Sequence, residues 1–536
     1  MNIQINWSRR EFLRFFGSSL CAGATTSISM DSFANPATAA IQSIVPTDQD
    51  ALVIADGLEY RMLIAWGDLI NGRGDRFGFN NDFLAWIPVD EDPDDILLFV
   101  NHEYITNGYF LTPDDPEKKS LDDVERERRE VGASIVRIRK IRGEWQFVPD
   151  DPLNRRIDAR TEIPIVSARP ILGRTYATGT LGNCAGGITP WKTFLTCEEN
   201  YHFEVGEVDL RGGERKISIK SATGWDRFHD MPPEHYGWVV EVDPFTGQTK
   251  KHTSMGRFAH ESATVVQAAD GRCVVYTADD KAEECLYKFV ADRPGSLDTG
   301  ILYVADTIKG RWLPLDVRLD PGLAAMFSDQ TELLIRTREA AHQVGATKLD
   351  RPEDIEQDPV SGALYIALTK HSARPFGSIL KIEEKDNDPL ALEFSASTFL
   401  TGGDDTGFAC PDNIAFDPNG NLWFTSDISG LEQNKPPYTS FKNNGLFFVP
   451  MAGPQSGKVF QLASAPVHAE FTGPCFSRDG RQLFLSVQHP GEFSVDRDHL
   501  ESHWPDGGDA LPKSGVVVIS GGILEAYSTI NGAEVI

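Results

Sequence analysis

One short motif recurs along this chain, each time ahead of an apolar run. It appears as Asp243-Pro244-Phe245-Thr246-Gly247, Asp358-Pro359-Val360-Ser361-Gly362 and Asp417-Pro418-Asn419-Gly420. Shorter versions are Arg478-Asp479-Gly480 and Asp270-Gly271. Proline presets one turn dihedral and glycine supplies the other, so each copy reads as a hairpin turn. The runs Ile96–Val100, Cys273–Tyr276, Ala363–Ala367, Leu422–Phe424 and Leu483–Val487 read as strands. Turn-then-strand units at large, uneven separations, continuing from about residue 45 onward, predict an all-β chain. The architecture that accommodates them is a β-propeller with inserted loops, and about six blades would fit. A β-sandwich is the rival, but this many units is long for one.

The N-terminal segment reads as an address. Ser8-Arg9-Arg10-Glu11-Phe12-Leu13 looks like a twin-arginine export signal, followed by an apolar, small-residue run from Phe15 to Met30. Cleavage sites follow at Ala34 and through Ala37–Ala40. Residues 1–40 are therefore expected to be a signal peptide and 41–536 a single β-propeller. The run is too short and too rich in Ser, Thr and Gly for a stable membrane anchor. The expected location is periplasmic or extracellular, reached through the twin-arginine machinery, a route that carries proteins already folded. Leu121–Glu130 and Thr331–His342 read as short surface helices, and 211–235 as a long loop or lid. The charge run Asp122–Arg129 reads as a solvated helix face.

Charge narrows the partners. Lys and Arg number 51 against 79 Asp and Glu, a formal net charge of −28. A nucleic-acid binder would carry a basic face, so that partner is excluded. Acidity gathered in loops suits hard cations such as calcium. The seven cysteines show no CxxC pair and no zinc-finger spacing. Six of them lie beyond the signal segment, and Cys197, Cys273, Cys285 and Cys410 read as packed thiols.

Several clusters could carry chemistry. Cys184 sits in the glycine-rich stretch Gly182–Gly187, and Glu198-Glu199-Asn200 follow a strand ending near Thr196. Asp82 follows Asn80-Asn81; Glu103 follows Asn101-His102; Glu261 ends Gly256–Glu261. Arg351-Pro352-Glu353-Asp354, Cys410-Pro411-Asp412-Asn413 and Gln488-His489-Pro490-Gly491-Glu492 complete the set. Singly each reads as turn chemistry. In a propeller, however, loops from different blades meet around one central channel. Acids, amides and a thiol would then face one another, and carboxylates packed together repel unless cations sit between them. Oxygen-rich sets suit calcium; carboxylates with a thiolate suit a transition metal such as iron. Arg351 is the odd member: its fork matches phosphate oxygens, which points to a phosphate-like substrate, with a salt bridge to Glu353 or Asp354 as the alternative.

Taken in order, these motifs resemble the PhoX-type alkaline phosphatases. The resemblance rests on the twin-arginine leader, Asn183–Gly187, Cys197–Asn200, Ala259-His260-Glu261, Arg351-Pro352-Glu353, Pro411-Asp412-Asn413 and Gln488–Glu492. It implies a β-propeller with a buried cluster of ferric iron (Fe3+) and calcium (Ca2+), acting on phosphate monoesters outside the cytoplasm. It further implies Cys184 and Glu261 as iron ligands, and Glu198, Glu199 and Glu353 as ligands of iron or calcium. Glu103, Asp82, Asp412 and His489 are implied as ligands or their supports, and Arg351 as the holder of substrate phosphate. Charge neutralisation by metals would do much of the catalytic work, with attack by a metal-bound oxygen, since no serine or threonine nucleophile is evident. Two alternatives predict different behaviour. A calcium-dependent propeller lactonase gives Cys184 and Arg351 no role, and a non-enzymatic exported binding propeller would show metal-dependent stability alone.

Overall fold

A computed structural model describes residues 41–105 and 112–528. The expected signal segment, residues 1–40, lies outside the described residues. The strands assemble into six sheets of four or more strands, the blades of a propeller. Blade one is Asn81–Val89, Asp92–His102, Gly132–Ile141 and Glu144–Phe147; blade two is Asn183–Ile188, Phe194–Glu198, Val239–Val242 and Thr249–His252, extended by Glu162–Val166 and Tyr176–Thr178. Blade three is Thr264–Gln267, Cys273–Ala278, Leu286–Ala291, Gly300–Asp306 and Arg311–Pro314; blade four is Pro352–Gln357, Leu364–Leu368, Ser378–Glu384 and Phe394–Thr401. Blade five is Pro411–Phe416, Leu422–Ser426, Gly445–Val449 and Phe460–Ser464, with Val53–Ile54 at its edge. Blade six combines Glu470–Phe476, Gln482–Gln488 and Gly515–Gly521 with the early strand Leu58–Ala65. That last pairing joins the two ends of the described chain and closes the ring of blades, so the sheets leave only short edges.

The apolar runs are apolar on both faces because each blade is sandwiched between two others. Along the second strand of blade one, Leu97 and Phe99 pack toward blade two with Phe194 and Val240, while Ile96, Leu98 and Val100 pack toward blade six with Phe484 and Val516. Blade four repeats the arrangement. Leu364 and Ile366 face Val274 and Tyr276 of blade three, whereas Tyr365 and Ala367 face Ile414 and Phe424 of blade five. Successive side chains of a strand point to opposite faces, so one strand serves two inter-blade cores.

The first strand of every blade lines an axial channel. A cavity of about 590 Å³ within it is walled by residues of all six, among them Trp86, Ile188, Val265, Glu356, Phe416 and Cys475. These strands crowd one another. A Cβ added at Gly187 would lie 2.0 Å from the Ala263 carbonyl oxygen, so only glycine fits there. The Asp-Pro and Asp-Gly turns join first to second strands in blades three to six, and third to fourth in blade two. By the antiparallel alternation they all fall at the same end of the channel.

The helix Leu121–Glu130 forms as expected, with Ser120 as its N-cap in a capping box with Asp123. Its charge run is not wholly solvated, however. Glu127 is buried against Lys119 at 2.7 Å and accepts from Trp225 Nε1, and Arg128 donates to the Ala159 carbonyl. The second helical stretch is two helices, Gln330–Ile335 and Thr337–Val344, broken at Arg336. The polar stretch after Arg211 contributes a strand, Lys216–Ile219, that pairs with Glu207–Asp209. The six described cysteines form no disulfide, and no described helix is long and apolar enough to cross a membrane.

Candidate metal centre

At the channel end opposite the Asp-Pro turns, every blade presents a functional side chain at or just before the start of its first strand. In blade order these are Asp82, Cys184, Glu261, Glu353, Asp412 and Glu470. A second set follows the end of each second strand, which runs back to the same end: Glu103, Glu199, Asp280, Thr369, Asp427 and His489. Cross-strand register brings the two sets side by side. Asn81 pairs with His102, Asn183 with Glu198, His260 with Asp279, Pro352 with Leu368 and Pro411 with Ser426, each pair lying one residue before a site pair.

Two local devices aim these groups inward. In blades one, two, four and five the register slips at the site residue, where two residues of the first strand oppose one of the second. Such a β-bulge re-aims a side chain next to a site. Two residues before the site group the backbone turns left-handed in five blades, at Asn80 (φ 45°), Gly182 (57°), Arg351 (51°), Cys410 (50°) and His468 (55°). Left-handed backbone at non-glycine residues is costly and persists where surrounding structure enforces it.

The groups converge. Cys184 Sγ lies 3.2 Å from Asp82 Oδ2 and 3.0 Å from Glu261 Oε1. Three overlapping triads, Asp82–Glu103–Cys184, Cys184–Glu199–Glu261 and Glu261–Asp280–Glu353, each have ligand atoms within 4.8 Å of one another. Glu103 is oriented by Asn200 and Gln488, both donating at 2.8 Å, and Glu353 by the Thr369 hydroxyl at 2.6 Å. Arg351 forks onto Asp280 with Nε and Nη2 at 2.9 and 2.7 Å, and Nη2 also lies 2.8 Å from Glu353. Its Nη1 has only a long contact, 3.9 Å, to Asp427. His489 Nδ1 donates to the His468 carbonyl at 3.0 Å, and Nε2 lies 3.4 Å from Glu470.

The electrostatics of the bare site are unfavourable. Burial, then neighbouring carboxylates, push Asp82, Glu199, Glu261, Glu353, Asp412 and Glu470 well above the ordinary range. Burial raises Glu103 too, against the pull of its two amide donors. The Cys184 thiol is raised by burial and then by Asp82 and Glu261. Burial opposes the charge of Arg351, but Asp280 and Glu353 hold it firmly protonated. Buried oxygens of Asp82 (Oδ1), Glu261 (Oε2) and Glu470 (Oε2) make no hydrogen bond. Crowded buried carboxyls facing a thiol resist ionising together, and a cation would relieve that.

Of the residues expected from the sequence, Asp82, Glu103, Cys184, Glu199, Glu261, Glu353 and Asp412 come together around the channel, with Arg351 at its rim. His489 stands in the outer set beside Glu470. Glu198 does not join them. Its side chain turns into the blade, where Lys251 Nζ lies 2.6 Å away and the backbone N–H groups of Leu181 and Trp238 donate to it. Adjacent residues of a strand end point oppositely, so of the Glu198-Glu199 pair one alone can face the channel. The sequence reading missed Asp280, Asp427 and Glu470. A signal was available for the first two: an acid sits one or two residues beyond the second strand of blades three and five, as Glu103 and Glu199 do in blades one and two.

The solved structure of Pseudomonas fluorescens PhoX in complex with vanadate, a transition state analogue, superposes with a TM-score of 0.79 at 27% identity, over 90% of this chain and 97% of that one. A putative gluconolactonase (10% identity, TM-score 0.35, 90% and 97% coverage) and a putative 6-phosphogluconolactonase from Bacteroides uniformis (14%, 0.31, 74% and 76%) are too distant to carry an argument. No curated protein matches significantly. A family model for alkaline phosphatase PhoX matches residues 39–491, a span that contains all six site-bearing strand starts. The ordered motifs, the six-bladed ring and this match make the chain a phosphatase that belongs to the PhoX alkaline phosphatase family.

Proposed function

We propose that this protein hydrolyses phosphate monoesters with resident Fe3+ and Ca2+ ions, after export by the twin-arginine route and removal of residues 1–40. The observation that carries the reading is the continuous wall of ligand atoms from Asp82 through Cys184 and Glu261 to Glu353, with one arginine at its rim. The donor set fits such ions. The Cys184 thiol with Glu261 suits iron, and the oxygen-only groups among Asp82, Glu103, Glu199, Glu353 and Asp412 suit calcium. The unpaired buried oxygens of Asp82 and Glu261 are the atoms a cation would take up.

When bound, such ions supply Lewis-acid stabilisation of the phosphoryl oxygens and of the leaving group, and activate water. The chain's own residues do the rest. Asp280 and Glu353 fix the Arg351 fork through Nε and Nη2, which leaves Nη1, 3.9 Å from Asp427, to meet an ester phosphate. A fixed guanidinium binds the transferring group and its developing charge without reorganising. Thr369 keeps Glu353 pointed at the channel, and Asn200 and Gln488 do the same for Glu103. That the Pseudomonas relative binds vanadate, a transition state analogue, supports a phosphoryl-transfer reading for this chain.

The test is elemental analysis of the purified exported protein beside hydrolysis of a chromogenic phosphate monoester, before and after chelation. Iron and calcium together, with turnover abolished by chelation and both lost in Cys184→Ala, are expected. Calcium alone, or turnover untouched in Cys184→Ala, would overturn the reading.

A further inference from the structure

A second group of ligand-type side chains lies outside the channel. Glu284 ends the short strand Ala282–Glu284, Cys285 follows it, and His342 stands in the last turn of the helix Thr337–Val344. A carboxylate oxygen, the thiol sulfur and an imidazole nitrogen from these three lie within 4.8 Å of one another. We propose that Glu284, Cys285 and His342 form a site for a zinc-type divalent ion, separate from the channel centre.

The donor chemistry selects the ion. A thiolate, a carboxylate and a neutral imidazole together balance a 2+ charge, and they suit zinc in place of calcium or magnesium, which require oxygen. The depth is graded in the way a three-ligand site needs. Cys285 is fully buried and Glu284 nearly so, whereas the His342 side chain is 39% exposed, which leaves one side open to water as a fourth ligand. His342 Nε2 lies 3.1 Å from Glu284 Oε2, so the two already face each other.

A further observation points to a missing partner. The hydroxyl of Tyr287 is buried and makes no hydrogen bond. Tyr287 lies two residues beyond Cys285 and packs in the same core, on the same side of the chain. Buried polar groups without partners are uncommon enough to need a cause. Of the two positive charges acting on the site, Lys348 and Arg338, the first is drawn to Glu283 at 3.2 Å. Arg338 is committed to Asp279 through two bonds of 2.6 and 2.7 Å and approaches Glu284 no closer than 4.0 Å.

The position has a mechanical consequence. Ala282–Glu284 pairs with Leu349–Asp350, with Ala282 opposite Asp350 and Glu284 opposite Leu349. Asp280 lies two residues before that strand, and Arg351 directly follows its partner. An ion at Glu284–Cys285–His342 would therefore fasten the helix Thr337–Val344 to both segments that carry the Arg351–Asp280 fork.

The test is titration of the full-length, iron- and calcium-loaded protein with Co2+, anaerobically. One equivalent should produce a sulfur-to-cobalt charge-transfer band in the near ultraviolet with intense visible bands of tetrahedral cobalt, and Zn2+ should displace it. His342→Ala, a substitution on the exposed side, should weaken Co2+ binding by about tenfold to a hundredfold or more. Glu284→Gln should weaken it similarly, and Cys285→Ser should remove the charge-transfer band. Cys184→Ser should retain it. Absence of the band in the parent protein, an unchanged titration in His342→Ala, or loss of the band in Cys184→Ser but not in Cys285→Ser would each overturn the proposal. If Cys285→Ser does not fold, the titrations of His342→Ala and Glu284→Gln decide it.

Discussion

Glu198→Gln separates the two neighbouring glutamates that the sequence leaves equivalent. In the structure Glu198 and Lys251 are both fully buried, with Nζ and Oε1 2.6 Å apart. The carboxylate also takes the N–H groups of Leu181 and Trp238 on its two oxygens. Glutamine keeps one acceptor, so it leaves the Lys251 ammonium uncompensated and sets an amide NH2 against a backbone N–H. Breaking a buried ion pair from one side costs about 3–5 kcal/mol. At about 2.1 cal/mol/K of unfolding entropy per residue, a chain of 536 residues loses roughly 1 °C in Tm per kcal/mol when it melts as one unit. The expected outcome is a Tm lower by about 3–5 °C, with bound metal and kcat per folded molecule unchanged. The double variant Glu198→Gln/Lys251→Met, which removes both charges, should recover most of the loss. Glu199→Gln, on the channel side, should show the reverse pattern, with metal content and turnover falling more than Tm. Differential scanning calorimetry with elemental analysis on the same samples reads both quantities. A Glu198→Gln protein that keeps its Tm and loses metal would refute the assignment of Glu198 to the blade interior.

Two other predictions rest on named contacts. Arg351→Lys keeps the charge and loses the fork on Asp280, so kcat/KM for a chromogenic monoester should fall about a hundredfold at unchanged metal content; wild-type kinetics would remove Arg351 from phosphate binding. Glu241 is buried, which by itself would raise its carboxyl, but hydrogen bonding and charge from His252, with donors Trp191 and Thr193, hold it at about 2 against an ordinary 4.5. A depressed folded-state value contributes stability that is complete above pH 4.5 and disappears as pH falls through 2. Glu241→Gln should thus be less stable than the parent at pH 6, by on the order of 2 kcal/mol, with the gap in Tm closing as pH is lowered from 4.5 to 2; a gap constant with pH would refute the linkage.

Much of the architecture was legible in the sequence because its cause is local. A proline or glycine at a fixed offset from an aspartate makes a turn whatever surrounds it, and the runs Ile96–Val100 and Ala363–Ala367 are apolar on both faces because each serves two inter-blade cores. The chemical types of the channel groups were legible too, since a thiol among carboxylates with one nearby arginine is a statement about composition. What tertiary structure alone decided was direction. A bulge at Asn183–Gly186 and the alternation of the strand end turn Glu199 toward the channel and Glu198 toward Lys251, some fifty positions further on. Asp280, Asp427 and Glu470 became site residues through register with strands whose own ends carry Glu261, Asp412 and His489. Likewise Glu127, indistinguishable in its charge run, is buried because Lys119 and Trp225 reach it. Side-chain type and turn propensity are properties of a few consecutive residues. Which way a side chain points is settled by pairing partners distant in the chain, and no local pattern encodes that.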